Sequence, residues 1–241
     1  MNVRFLKMNI EVIASGSKGN CYKINNEDTA LLLECGIPYI KIQEKLNFKL
    51  SDIDACFISH EHKDHSRDYK KLLDFGTSIY MTQGTKDVLD PADYRIDVLQ
   101  KEDEEHYSYV KVGSLLIKPF VTIHDAREPV GFLITDMNTG ESLTFITDTK
   151  YCKYRFSVDY MLLEVNYTAR QINNNLSLNT KLRKRIKETH MSLETAIDFI
   201  LKSDLKRLKM IYLIHLSETN SEENYIKESI QKLTGVPVYV C

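Results

Sequence analysis

The chain has 241 residues, 43% of them hydrophobic, enough for a single globular domain (1–241) with a real core. Lys and Arg total 32 against 34 Asp and Glu, so the net charge of −2 provides no global field for a polyanion, and any nucleic-acid binding needs a local patch. Apolar runs such as Leu31–Leu33 and Ile211–Ile214 fall far short of a bilayer span, the first residues lack a secretory h-region, and the five cysteines are odd in number with no C-x-x-C pair; a soluble cytoplasmic protein with reduced thiols is expected.

Short β-type runs recur along the chain, with helical spacing between only some of them, which predicts an α/β class with helices outside sheets. Strands are predicted at Ile10–Ala14, Cys21–Asn25, Ala30–Glu34, Ala55–Ser59, Ser78–Thr82, Leu115–Ile123, Gly131–Thr135, Ser142–Thr147, Tyr160–Val165, Met210–His215 and Val236–Val240. Helices are predicted at Pro38–Leu46, Ser66–Leu73, Gly84–Leu89, Ser192–Lys202 and Glu222–Leu233. In the fourth, Ser192 is a natural N-cap, and Leu193, Ala196, Ile197 and Ile200 make one apolar face. The charge cluster Lys101–Glu105 reads as a solvated loop.

The densest chemical signal is Ser59-His60-Glu61-His62-Lys63-Asp64-His65, an H-x-H-x-D-H pattern directly after the apolar run Cys56-Phe57-Ile58. By composition such a pattern arises in roughly one of a few thousand chains, so it reads as chemistry. On extended backbone His60 and His62 point the same way and can share one metal; after a turn, Asp64 and His65 can face a second. Three further ligand types close hydrophobic strands, where a sheet scaffold exposes functional groups: His124 after Phe120–Ile123, Asp148 after Phe145–Thr147, and His215 after Ile211–Ile214. Of seven histidines, six fall in these segments or in the Thr189-His190-Met191-Ser192 turn; His106 is left over.

This motif and the order of the later ligands resemble the metallo-β-lactamase superfamily, over nearly the whole chain. Within it, Ala14-Ser15-Gly16-Ser17-Lys18-Gly19-Asn20-Cys21, the segment His124–Phe132, Thr147-Asp148-Thr149 and His215-Leu216-Ser217-Glu218 resemble the WalJ/YycJ group, which is nuclease-like and related to ribonuclease Z. The resemblance implies a four-layer αββα sandwich. It also implies two divalent metal ions, zinc or sometimes manganese: one on His60, His62 and His124, the other on Asp64, His65 and His215, with Asp148 bridging. Where relatives commonly carry Asp at the end of the third strand, this chain has Glu34, a longer carboxylate able to orient the histidine motif from behind.

Two metals suit hydrolysis of a phosphodiester, whose departing alkoxide needs a proton. His190 with Glu164 resembles the histidine and glutamate that ribonuclease Z adds to the metal core, which implies His190 as general acid and Glu164 as its partner. The sequence leaves the substrate open between nucleic acid, as in a WalJ-like 5′ exonuclease, and a cyclic mononucleotide, as in the phage anti-Pycsar phosphodiesterases that counter a bacterial defence. The basic stretch Lys181-Leu182-Arg183-Lys184-Arg185-Ile186-Lys187 can track a nucleic-acid backbone or be a solvated helix face. Tyr151, Tyr154 and Tyr167 can stack on a base or simply pack. A metal-free binding module is disfavoured because all seven metal-facing positions carry competent ligands, and a single-iron oxygenase by Asp64 and the His190–Glu164 pair. By analogy with relatives a homodimer is expected.

Overall fold

The computed structural model describes residues 8–241; most of the first residues, on which the expectation about a leader rests, lie outside this range. The described residues carry two sheets, of six and seven strands. The chain divides into two compact units: one runs to Val121 and includes Ala126–Ser142, the other holds Thr122–Asp125 and Leu143–Cys241.

In the first unit the order is β1 (Asn9–Ala14), β2 (Cys21–Asn25), β3 (Ala30–Leu33), α1 (Tyr39–Lys45), β4 (Ala55–Phe57), α2 (Lys63–Ser66), α3 (Tyr69–Phe75), β5 (Ser78–Met81), α4 (Gln83–Leu89) and β6 (Ile96–Val98). Then come β7 (Val110–Val112), β8 (Leu115–Val121) and β9 (Val130–Asp136). Strands β1 to β6 lie side by side in chain order; the first two pairings are antiparallel and the next three parallel. Every residue of β3 and β4 is buried, which explains why these strands read as continuous apolar runs. Beneath them Leu32, Cys56, Ile58, Ile42, Leu72 and Ile79 form one core. Strands β7, β8 and β9 form an antiparallel meander.

The second unit contains β10 (Ser142–Ile146), β11 (Tyr160–Glu164), α5 (Ala169–Asn174), α6 (Thr180–Thr189), α7 (Leu193–Lys202), β12 (Met210–Ile214), α8 (Glu223–Thr234) and β13 (Val238–Val240). Its strands pair in parallel, β10 to β11 to β12 to β13. Parallel strands point all their C-terminal ends one way, so residues just beyond those ends share one edge. Helix α7 is capped as predicted, with Ser192 Oγ accepting the Thr195 N–H at 3.2 Å; of the predicted apolar face Leu193, Ala196 and Ile200 are buried, while Ile197 is only half-buried and Phe199 takes its place in the core.

The predicted helix Ser66–Leu73 is instead two pieces, α2 and α3, broken where Asp68 leaves helical geometry and its carboxylate takes the Tyr39 N–H. Residues 101–106 are exposed as expected, with His106 bonded to Asp103 at 2.8 Å. Among the described residues no helix is long and apolar enough to cross a membrane.

Candidate metal centre

In the first unit the histidine motif begins two residues past β4. His60 is buried, and His62, extended at φ −58° and ψ 143°, is the N-cap of α2. Ser66 Oγ donates to the carbonyls of Glu61 (2.9 Å) and His62 (3.1 Å), closing the turn that carries Asp64 and His65. His60 Nε2 and His62 Nδ1 come within 3.1 Å, and His65 Nε2 lies 3.5 Å from Asp64 Oδ2. Both pairings read from the motif come together, and the His60 and His65 rings also approach, to 4.2 Å between centroids.

This turn is locked from behind. The Asn20 N–H donates to the Asp64 carbonyl (2.8 Å), Cys35 N–H to the His65 carbonyl (2.8 Å), and Gly36 N–H to the Asn20 carbonyl (2.9 Å). Gly36 sits so close that a Cβ there would fall 1.6 Å from the Asp64 carbonyl oxygen. The Asn20 side chain, fully buried, donates to Asp64 O at 3.2 Å and lies 3.3 Å from His65 Nε2. Glu34 is also fully buried; its carboxylate accepts the Ser59 N–H (3.2 Å) and lies 3.7 Å from His65 Nδ1, so the longer side chain reaches the motif. Burial pushes its pKa up, against the opposing pull of His65 and Ser59. Arg127 N–H donates to Glu61 Oε1 at 2.7 Å, and Glu128 takes the Gly84 N–H at 2.6 Å, pinning the segment after His124.

In the second unit three of the remaining candidates sit at strand ends. Asp148 lies beyond β10, Glu164 ends β11 and His215 follows β12. Asp148 faces a histidine with each oxygen: Oδ2 lies 3.4 Å from His124 Nε2 and Oδ1 lies 3.5 Å from His215 Nε2. His124 Nδ1 donates to the Thr189 carbonyl at 2.8 Å, which turns Nε2 toward Asp148. Burial lowers the His124 pKa despite the neighbouring Asp148, favouring the neutral imidazole that a metal requires. Asn166 Nδ2 donates to the His215 carbonyl (3.0 Å) and lies 3.2 Å from its Nδ1. His190, the C-cap of α6, donates from Nδ1 to Glu164 Oε1 at 2.5 Å, while Glu164 Oε2 accepts the N–H groups of Thr149 (2.9 Å) and Met191 (3.3 Å). Burial disfavours protonated His190, but the Glu164 carboxylate outweighs it and holds the pKa up at about 9. Asp148, Glu164, His190 and His215 offer ligand atoms all within 4.8 Å of one another.

Three of these positions share a backbone signature. Glu34 (φ 65°), Asp148 (φ 38°) and His215 (φ 54°) each turn left-handed just past a strand, a conformation that side-chain-bearing residues adopt at a penalty of about 1–2 kcal/mol.

The donor set fits a divalent cation. A tetrahedral ion with bonds of about 2.0–2.1 Å spaces its ligand atoms about 3.3 Å apart. The 3.1 and 3.5 Å pairs of the first unit and the 3.4 and 3.5 Å pairs of the second bracket that spacing. The sequence pointed to the candidate ligands but not to Asn20 and Asn166, which bond beside His65 and His215. Their signals were present: Asn20 ends the Gly16–Asn20 turn, and Asn166 stands two residues past Glu164. Tyr167 is 7% exposed and bridges to Ser192, so it packs; Tyr151 and Tyr154 are half-exposed.

Such strand-end clusters of imidazole and carboxylate on a two-sheet α/β frame define a metal-dependent hydrolase. The chain belongs to the β-lactamase superfamily: the Beta-lactamase superfamily domain model matches residues 31–216, a span that contains every residue from His60 to His215 named above. Among its relatives is the Exodeoxyribonuclease WalJ of Streptococcus pneumoniae serotype 2 (strain D39), 30% identical over 230 residues, or 90% of this chain and 83% of that protein. The Exodeoxyribonuclease YycJ of Bacillus anthracis is 24% identical over 237 residues, covering 94% and 89%. The metallo-β-lactamase fold protein YhfI from Bacillus subtilis superposes with a TM-score of 0.73 at 17% identity, covering 98% of this chain and 97% of that one. The fold class expected from the motif, two sheets flanked by helices, is the one found.

Proposed function

We propose that the chain is one metallo-β-lactamase domain acting as a dinuclear phosphodiesterase on nucleotide phosphodiester bonds. The observation that carries this reading is the His190–Glu164 pair, hydrogen-bonded at 2.5 Å beside Asp148. Hydrolysis of a thioester expels a thiolate that leaves without a proton, whereas a departing sugar alkoxide needs one. Two ions, zinc or manganese, held by His60, His62 and His124 and by Asp64, His65 and His215 with Asp148 shared, would supply an acidified water and a clamp on the phosphate oxygens.

The chain's own residues do the rest. His190 Nδ1 is held by Glu164, so Nε2 is the atom that hands its proton to the leaving oxygen as the phosphorus–oxygen bond breaks. Glu164 is a positioning residue: it fixes the ring and favours its charged form. The match of one family model across both units supports a single domain, and the WalJ and YycJ relatives support a nucleotide substrate. Four of the five cysteines are buried thiols, which suits the cytoplasm, and the expected assembly is a homodimer.

The test is hydrolysis with Mn²⁺ or Zn²⁺ of a panel holding 3′,5′-cyclic mononucleotides and end-labelled DNA and RNA, with Asp64→Ala as the blank. Metal-dependent cleavage of any member supports the reading. Inertness toward all of them, in protein loaded with two equivalents of metal, refutes it.

A further inference from the structure

Residues 123–125 tie two basic surfaces of the second unit to one point. Before His124, the Ile123 carbonyl accepts the Lys150 N–H (2.9 Å) and the Ile123 N–H donates to Thr149 Oγ1 (2.9 Å). After it, Asp125 Oδ2 accepts from Arg185 Nε at 2.6 Å, and His124 itself is bonded to the carbonyl at the end of α6.

The first surface is the loop Lys150-Tyr151-Cys152-Lys153-Tyr154-Arg155, in which cations alternate with aromatic rings. It has no regular secondary structure, yet it is held in place. Arg155 donates to the carbonyls of Cys152 (2.9 Å) and Tyr154 (2.7 Å) and to Tyr151 Oη (2.5 Å), and Thr149 Oγ1 donates to the Tyr151 carbonyl (2.9 Å). Only Cys152 turns inward; Lys150, Lys153 and Arg155 are exposed and both tyrosines half-exposed. The Arg155 guanidinium lies over the Tyr151 ring, 5.6 Å from its centroid, and Lys153 Nζ over that of Tyr154 at 5.4 Å, so a cation covers one face of each ring.

The second surface is α6. Its Arg183 and Lys187 are spent on the segment that leads into the helix, bonding to the Asn175 carbonyl (2.7 Å) and Asn173 Oδ1 (2.6 Å). Lys181 and Lys184 face solvent, with Glu188 a loose partner 3.8 Å from Lys184; Arg185 is exposed but paired with Asp125. Lys181 and Arg185, with Asn179, Thr180 and Leu182, line an open hollow of about 610 Å³. Along the axis of α6, helical rise sets Lys184 about 9 Å and Lys181 about 13.5 Å before its C-cap His190, which for a stacked strand advancing about 3.4 Å per nucleotide is roughly three and four nucleotides.

We infer that the second unit carries a track for single-stranded nucleic acid, with phosphates on Lys181 and Lys184 of α6, bases on Tyr151 and Tyr154, and its end at His124. The inference rests on the phosphodiesterase reading and names its substrate. Single strands follow from the alternation, because a tyrosine face can stack only on a base that is not already paired. The overall charge of −2 does not oppose this, since a local patch suffices and residues 150–155 and 181–187 together hold eight cations.

The experiment measures binding of fluorescein-labelled 12-nucleotide DNA and RNA single strands, and of a 12-base-pair duplex, to full-length metal-loaded protein in Ca²⁺ buffer, by anisotropy across a salt series. Hydrolysis of bis(p-nitrophenyl) phosphate by the unaltered protein reports separately on the phosphodiesterase reading. The expected result is single strands bound at least tenfold tighter than duplex. Tyr154→Ala should weaken them about 5- to 150-fold, the range for one lost base stack. The exposed pair Lys181→Glu/Lys184→Glu, which does not touch the core, should reduce the slope of log K against log salt by about 1.4, the value for two phosphate contacts on a single strand. Equal binding of duplex, or unchanged affinity in both variants at wild-type melting temperature, would overturn the track even if the small diester is turned over. Turnover failing while strand binding holds would instead remove the phosphodiesterase reading.

Discussion

Gly36→Ala tests how the histidine motif is held. A methyl group at this position would lie 1.6 Å from the Asp64 carbonyl oxygen and 2.1 Å from its carbon, both backbone atoms with no side chain to swing aside. The start of α2 must therefore retreat by more than about 1 Å, and displacement of that size costs about 100-fold in rate. The same movement strains three backbone hydrogen bonds, Asn20 to Asp64, Cys35 to His65 and Gly36 to Asn20. At about 1 kcal/mol each they sum to about 3 kcal/mol, which for a chain of this size is a melting point lower by about 6–12 °C. Gly140→Ala is the comparison, with a left-handed φ of 71° but open space around it: about 1 kcal/mol and unchanged turnover. The assay is calorimetry together with metal content and turnover of the most active panel substrate. Gly36→Ala that melts like wild type and keeps its metal and rate would show that the tight packing behind α2 does not hold the ligands.

His190→Ala is expected to lower kcat by about 10²–10⁴ while bound metal, measured by elemental analysis, and KM stay near wild type; loss of metal instead would make His190 a ligand. Asn166→Ala, which frees His215, should weaken metal affinity about 10- to 100-fold in a chelator competition, and unchanged affinity would exclude a supporting role. Removing metal with a chelator should abolish turnover and, relative to metal at 1,000 times its dissociation constant, lower stability by about 4 kcal/mol; an unmoved melting point would argue against binding at the folded site. Ser192→Ala should destabilise by about 1 kcal/mol with no effect on metal content, and a larger loss would mean the residue does more than cap α7.

The candidate ligands were legible because their chemistry is dense and they lie just past hydrophobic strands: β4, β10 and β12 are followed within three residues by His60, Asp148 and His215. The cap at Ser192 was legible for the same local reason. What sequence did not reveal were elements lacking an apolar stripe. Helix α6 has a single half-buried isoleucine among its charges, and only Thr189 of its residues is buried, so periodicity was silent there. Strands β6 and β7 are three residues each, too short to alternate visibly. The split between α2 and α3 depended on the Asp68 carboxylate taking a distant backbone N–H from Tyr39, a contact that local pattern cannot carry. The roles of Asn20 and Asn166 went unassigned for a related reason: although both stand in telling positions, their partners are 44 and 49 residues away.

The left-handed turns at Glu34, Asp148 and His215 bear on how this fold evolves. At each of the three, glycine would relax the backbone and remove the side chain that faces the centre. Mutational drift toward easier folding and drift toward inertness therefore run in the same direction here, and only continued use of the site opposes them. A descendant released from catalysis should lose these three side chains early and keep its core, becoming a binding scaffold that still folds. The identity of residues 34, 148 and 215 in any sister chain is then a compact record of whether its ancestors were still working enzymes.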